Sequence, residues 1–481
     1  MKLHTHINHL LADTKTPVGL YLALRDLYQN PLLLESSDYN SKEGHYSYIC
    51  LNPLATITLH QSVLKTKIQG NIQQETITYD TQQVLKKLTD FKNQFEFDTQ
   101  ALPFCYAGLF GYMGYDCINY AEDIQLNTTK KNVDIPELLY SVYGIILVFN
   151  HATNDLCIIS HHYTDEVAQT QLTIIEEHIS CLTHKAFSFE TTGEITSNLS
   201  DETYRAMVAK AKKHCQQGDV FQLVLSRRFS QSFRGDDFNV YRALKNINPS
   251  PYLFYFDLGD FKLFGSSPEA QLVITKDEAE IHPIAGTYKR TGNDAEDLEK
   301  AQELMNDPKE NAEHNMLVDL ARNDLSKYCS NVRVKFLKQT QFYSHVIHLV
   351  SKVVGKVKKQ YKPFDVLFGT FPAGTLSGAP KYKALELIDT YEPTAREFYG
   401  GCIGFISHDN QLGHAIMIRT FLSKNNNLYF QAGAGIVISS DEEKELQEIN
   451  HKVSALKKAI TQAEKFNNIV KAKHHETISA R

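Results

Sequence analysis

The sequence predicts a large protein of mixed helix and strand, and three observations support this. Its 481 residues can bury a large core, as two domains or as one unusually large one. Its composition, 42% apolar and 22% charged with a formal charge of -6, is that of an ordinary soluble protein. Short strand-like runs alternate with segments of helical periodicity along the chain. The charge balance provides no basic field for DNA or RNA. The start, Met1 to Tyr21, is polar and His-rich, without a signal peptide's apolar run, and no stretch has transmembrane length. The expected location is therefore the cytoplasm, off the membrane. Cysteines at 50, 105, 117, 157, 181, 215, 329 and 402 form no CxxC pair, which predicts buried free thiols.

In chain order, residues 1–182 form an N-terminal region with strand-like Ser47 to Cys50 and Gly144 to Phe149 and an amphipathic segment around Thr81 to Phe95. No catalytic cluster stands out there. Residues 183–200, rich in Thr, Ser and Glu, predict a surface connection. Residues 201–463 open with a helix from about Asp201 to Gln217, closed by Gly218 and followed by a strand from Val220 to Ser226. Residues 464–481 are polar and predict a loose tail.

Two helical segments carry paired carboxylates. In Glu310 to Leu320, i, i+3 spacing puts Glu310 and Glu313 on one face. A second helix is expected to start at Ser440, with Glu443 completing a capping box, and it carries Glu445, Glu448 and Lys452 at i, i+3 and i+7. The plain alternative is two solvated acidic faces. A pair of such pairs, however, suits a hard cation that keeps positions for water and an anionic substrate, and this describes Mg²⁺ better than zinc or calcium.

Anion-binding features follow. Leu428 to Gln431 and Ile436 to Ser439 read as strands around Gly433-Ala434-Gly435, where bare backbone could meet a carboxylate, although a bulged hairpin accounts for the spacing equally well. Arg419, in the apolar run Ala415 to Phe421, reads as a charge in a buried strand that wants an anionic partner or a structural salt bridge. Phe371 to Lys381 is not a phosphate loop, because Pro380 precedes the Lys and Tyr382 stands where Ser or Thr should bind magnesium. Gly400 to Gly404 has the shape of a cysteine elbow, but Phe405 to Ser407 continues as strand where a helix is required.

Taken together, Phe221-Gln222 to Ser226-Arg227-Arg228, Gly265 to Glu269, Pro283-Ile-Ala285-Gly286-Thr287, Ala312-Glu313-His314 to Asp324 and Phe371 to Lys381 resemble, in order, the chorismate-utilising enzymes, most closely the anthranilate synthase component I family. The resemblance is strong over Gly218 to Lys457 and thinner before it. It implies a large α/β (α+β) fold, two sheets packed together with helices outside and the active site between them. It also implies Mg²⁺ bound directly by Glu313 and Glu448 and supported through water by Glu310 and Glu445. Gly286, Thr287, Tyr399, Arg419, Gly433, Ala434, Gly435 and Lys452 would hold chorismate. Glu269 would be the general acid for the C4 hydroxyl, with His348 and Thr375 at further catalytic positions.

Two positions choose among relatives. The isochorismate branch has Lys at the position of Gln222 to activate water, a task for which an amide lacks basicity. The aminodeoxychorismate branch commonly has Lys at Ala285. Anthranilate is thus the expected product, from ammonia supplied by a separate glutamine amidotransferase subunit, with the aminodeoxychorismate reaction as the alternative. The segments containing Glu35, Ser36, Pro251, Tyr252 and Leu253 resemble the family's L-tryptophan feedback site. A catalytically dead tryptophan-binding regulator is the competing class, and the intact carboxylate set speaks against it.

Overall fold

Two antiparallel sheets share two long strands, Tyr46–His60 and Leu138–Asn150. In the computed structural model, residues 1–36, 46–98, 100–181, 183, 185–342 and 346–466 are described. The shared pair bends where its register shifts between Pro53 and Ala55, after Asn52 takes a left-handed φ of 57°. Before the bend the pair is flanked by Leu32–Glu35 and Asp155–His162, and after it by Val63–Ile68 and Gly108–Met113.

The first sheet runs from Leu32–Glu35 through Tyr252–Asp257, Lys262–Ser267, Thr420–Lys424, Asn427–Ile436 and Gln222–Gly235 to Phe189–Ser197. The second continues from Gly108–Met113 through Cys402–Ser407, Leu412–Ile416, Ala270–Thr275 and Glu278–Ile281 to Val346–Val357. Strands from both ends of the sequence therefore alternate in each sheet, and the interior core is continuous across them.

The two carboxylate helices cover different sheets. Glu442–Lys465 buries Leu446, Ile449, Val453, Leu456 and Ile460, a helical stripe, against the first sheet. Pro308–Tyr328 packs on Ile284–Lys289 and Val346–Val357 of the second.

Several expectations hold locally. The Asp201–Gln217 helix is capped by Ser200 and ends at left-handed Gly218. Thr81–Asn93 is an amphipathic helix. All eight cysteines are free, with Cys181 exposed, Cys215 half-buried and the rest buried. Others need correction. Residues 183–200 are not merely a connection, because Phe189–Ser197 forms an edge strand on Gln222–Gly235; its polar side chains suit an edge with one wet face. The Val220 strand begins at Gln222. The helix expected from Ser440 is capped by Asp441, whose carboxylate accepts from Glu443 N and Lys444 N, while Ser440 Oγ instead accepts from Val437 N at 3.0 Å. The tail beyond residue 466 lies outside the described residues.

Behind the first sheet lies a buried charge network. Arg228 and Glu397 form an ion pair with both side chains 2% exposed. Arg228 also donates to Gln431 Oε1 at 2.9 Å and to the carbonyls of Ala395 and Arg396 at 2.8 Å. Arg396 pairs with Glu392 and donates to Leu376 O at 2.6 Å and Val224 O at 2.8 Å. Removing one member strands its partner without water. Arg228→Met is expected to cost about 3–5 kcal/mol of unfolding free energy, read from urea denaturation; a cost under about 1 kcal/mol would show that Glu397 does not depend on this pair.

Candidate active site

The chain crosses between the sheets at two adjacent places. Lys262–Ser267 lies in the first sheet and Ala270–Thr275 in the second, so Pro268 and Glu269 form one crossing. Leu412–Ile416 lies in the second and Thr420–Lys424 in the first, so Met417 to Arg419 form the other. Ile416 N–H donates to Glu269 O at 3.0 Å and Ser266 N–H to Arg419 O at 3.2 Å, which staples the crossings together. Ala415 to Phe421 is thus not one strand, as its apolar run suggested, since Arg419 turns the chain with a φ of 50°.

Glu269 is 8% exposed and accepts from Thr375 Oγ1 at 3.0 Å. Burial pushes its pKa up to about 8, against the opposing pull of the Thr375 hydrogen bond and the charges of Lys452 and Arg419. At neutral pH it carries a proton it can donate.

His348, on Val346–Val357, faces Thr287 across the ladder, and its Nδ1 stands 3.2 Å from Gly286 O. A carbonyl only accepts, so Nδ1 carries the proton and Nε2 is the basic nitrogen. Burial, with Arg419's charge adding to it, lowers the His348 pKa to about 4 and keeps the ring neutral. Gly286 has a φ of 76°, and a Cβ there would stand 3.2 Å from Glu310 Oε2.

Gly433, Ala434 and Gly435 lie inside Asn427–Ile436, not between two strands; the strand ends at Ile436, and residues 437–440 turn into the helix. Among the described residues, the strand past Phe430 has a ladder partner only in Gln222–Gly235, so its other edge offers backbone groups. Lys452 Nζ donates to Gly433 O at 2.9 Å and pairs with Glu448 Oε1 at 2.7 Å. Buried Tyr399 hydrogen-bonds the Gly433 backbone, and desolvation raises its pKa. A Cβ on Gly435 would fall 2.3 Å from Gln222 Nε2 and 3.7 Å from Glu313 Oε1. Gln222 Nε2 donates to Glu313 Oε1 at 2.9 Å, while Gln222 Oε1 is buried with no hydrogen-bond partner among the described residues.

Glu445 is 4% exposed on the face that also carries Glu448, and both lie near Tyr204. Among the described residues no three His, Cys, Asp or Glu side chains converge closely enough to form a closed metal cage. The donors that are present, Glu313 beside Gly435, Glu310 beside Gly286, and Glu448 paired with Lys452, are hard oxygens, and at both glycines a Cβ would crowd the neighbouring side chains. Such a sparse carboxylate set fits Mg²⁺, which retains water and substrate oxygens.

The proposed feedback segments also meet. Leu253 pairs with Glu35 across the ladder between Tyr252–Asp257 and Leu32–Glu35. Glu35 is buried and takes Tyr241 OH and Lys245 Nζ, each at 2.5 Å, from the Phe238–Ile247 helix. Ser36 is the last described residue before residues 37–45, which lie outside the description. Asn248 opens the segment whose sequence resembles the feedback site, but its Oδ1 accepts from Arg419 Nη1 at 3.3 Å, a contact the sequence did not reveal. The Arg396–Glu392 clamp was missed too, its only sequence trace being the charges between Glu392 and Glu397.

The chain that carries this site has relatives in sequence and in fold. The chain belongs to the chorismate binding enzyme family, whose pattern matches residues 33–458. It is similar to anthranilate synthase component 1 of Aquifex aeolicus, 36% identical over 95% of this chain and 94% of that one. Similarity to the Bacillus subtilis component 1 is 37% over 97% and 94% of the two chains. Anthranilate synthase component I from Streptococcus pneumoniae superimposes with a TM-score of 0.76 at 30% identity, over 87% of this chain and 93% of that one. The menaquinone-specific isochorismate synthase of Escherichia coli shares the fold, with a TM-score of 0.72 at 18% identity.

If Glu269 acts as the acid, turnover of chorismate should hold below a pH of about 8 and fall above it, because the donor form disappears as the carboxyl ionises. A kcat/KM profile over about pH 6 to 10 at constant free ammonia, which reports the free enzyme, reads this limb. Glu269→Gln should lose both the limb and at least about 100-fold in kcat. A variant that kept wild-type turnover would exclude the role.

Proposed function

We propose that this chain is the chorismate-converting component of an anthranilate synthase, joining ammonia to chorismate and releasing anthranilate and pyruvate. The observation that carries the reading is the protonated Glu269 held by Thr375 beside Arg419 and Lys452, an acid next to cations that suit a dicarboxylate substrate. Arg419, Lys452 and the backbone edge at Gly433–Gly435 bind the carboxylates, and Tyr399 fixes that edge. Ammonia attacks C2, the ring double bonds shift, and Glu269 gives its proton to the C4 oxygen, which leaves as water while the new ammonium group loses its extra proton to solvent. His348 Nε2 then takes the C2 proton as the C3–O bond breaks, the ring becomes aromatic, and the departing enolate is protonated at its methylene carbon to give pyruvate. Glu313 and Glu448, with Glu310 and Glu445 behind them, would hold Mg²⁺, which when bound neutralises substrate carboxylate charge.

Gln222 favours ammonia over activated water. It supplies an amide oxygen that can accept from the nucleophile's N–H but cannot remove a proton from water. In the cytoplasm, a glutamine amidotransferase component would supply the ammonia. The name component 1 carried by the relatives supports such a partner.

The purified chain with chorismate, ammonium and Mg²⁺ should form anthranilate and pyruvate, identified by chromatography. Glu313→Gln and Glu448→Gln should each lose most turnover and require more Mg²⁺. Aminodeoxychorismate or isochorismate as the main product would overturn the reading, as would unchanged magnesium dependence in both variants.

Feedback by L-tryptophan at Glu35, Ser36, Pro251, Tyr252 and Leu253 completes the proposal, supported by the direct pairing of Glu35 with Leu253. Linkage then requires chorismate and tryptophan to weaken each other's binding equally. The chain contains no Trp, so indole fluorescence reports the added ligand alone. Ser36→Arg should abolish inhibition while keeping uninhibited turnover. Tryptophan affinity that saturating chorismate leaves untouched would rule the coupling out.

A further inference from the structure

Arg419 is fixed at both ends by a closed hydrogen-bond ring. Its backbone O accepts from Ser266 N–H at 3.2 Å, and its Nη1 donates to Asn248 Oδ1 at 3.3 Å. Asn248 is in turn tied to the same serine: Ser266 Oγ donates to Asn248 O, and Asn248 Nδ2 lies 3.4 Å from that Oγ and 3.3 Å from Ser250 Oγ. The backbone of Asn248 closes the Phe238–Ile247 helix by donating to Leu244 O at 2.8 Å. Ser266 is wholly buried. Two segments thus hold Arg419, Ser266 at its backbone and Asn248 at its guanidinium, and they are bonded to each other. Such convergence is what a left-handed Arg requires, because a non-glycine φ of 50° persists only where the surroundings hold it.

The identity of the acceptor matters more than its presence. A carboxylate at position 248 would hold the guanidinium more strongly but would neutralise it. The amide of Asn248 orients Arg419 and leaves its full positive charge available to an anion. We propose that Asn248 and Ser266 are positioning residues for Arg419, holding its guanidinium through a neutral acceptor so that its charge is reserved for the substrate carboxylate. This rests on the reading that Arg419 binds chorismate.

The ammonium-dependent reaction of the full chain tests it, with folding of each variant followed by thermal melting. Arg419→Met is the reference. Asn248→Asp, which keeps the shape and the helix cap, should raise the chorismate KM by about tenfold while kcat stays within about threefold. Ser266→Ala, which removes the buried anchor of Asn248 without adding charge, should raise KM severalfold. In an Arg419→Met background, Asn248→Asp should add nothing, because its effect passes through the arginine. If Arg419→Met raises KM and neither Asn248→Asp nor Ser266→Ala does, the positioning role is wrong while the reading of Arg419 stands. A further loss from Asn248→Asp in the Arg419→Met background would also overturn it. If Arg419→Met leaves KM unchanged, the reading of Arg419 fails and the proposal fails with it.

Discussion

Ionisable groups are placed where two sheets exchange strands, and that constraint organises the molecule. A carboxyl and a guanidinium removed from water at such a crossing are costly unless hydrogen bonds and charges meet them. Here the two crossings run side by side, so each supplies the other's partners. Ser266 N–H meets Arg419 O, Ile416 N–H meets Glu269 O, and Thr375 reaches Glu269 from a third segment. Desolvation outweighs the nearby cations at Glu269, and the carboxyl stays protonated. At His348 burial and Arg419 act in the same direction, and the ring stays neutral. One dry enclosure therefore produces an acid and a base that coexist near neutral pH, because burial disfavours the charged form of each.

Geometry at that enclosure is kept by buried charges bonded to the protein's own groups. Arg396 joins Glu392, Leu376 O and Val224 O, so the Gly374–Leu376 turn, the Gln222–Gly235 strand and the approach to Tyr399 are fixed to one guanidinium. Arg228 ties Gln431 to Glu397 and to the carbonyls before Tyr399. Each donor is planar, forked and satisfied, which makes such a network a rigid backing rather than a set of interchangeable contacts. Thr375 and Tyr399 thus come into place through residues whose value in the sequence lay only in being charged among apolar neighbours.

How much of this the sequence made legible depends on the range of the interaction. Local rules located the Asp201–Gln217 helix to the residue, because Ser200 and Gly218 are capping signals read within a turn. They misplaced the start of the Glu442–Lys465 helix, since Asp441 competes with Ser440 for the same amides and wins with the stronger acceptor. The run Ala415 to Phe421 looked like one strand because apolarity does not reveal a change of sheet; only the left-handed Arg419 does. The polar stretch around Phe189–Ser197 looked like a linker because an edge strand needs only one dry face. The identities of the site residues came from ordered motifs, whereas the contact of Gln222 with Glu313 spans 91 residues and has no local trace.

The same geometry supplies a physical route between the two candidate sites. Glu35 holds Tyr241 and Lys245 on one helix, and that helix ends at Asn248, whose amide holds Arg419. The contacts from Glu35 to Arg419 run through that helix and one hydrogen bond. Proximity alone transmits nothing, since an effector shifts an equilibrium only by its difference in affinity for the two states. Both contacts sit at the helix's C-terminal end: Lys245 in the last turn pairs with Glu35, and Asn248 just past it offers Arg419 a neutral amide. An amino-acid ligand that drew Glu35 away from Lys245 would alter the helix's anchorage, and Arg419 would feel the change through the residue that sets its direction.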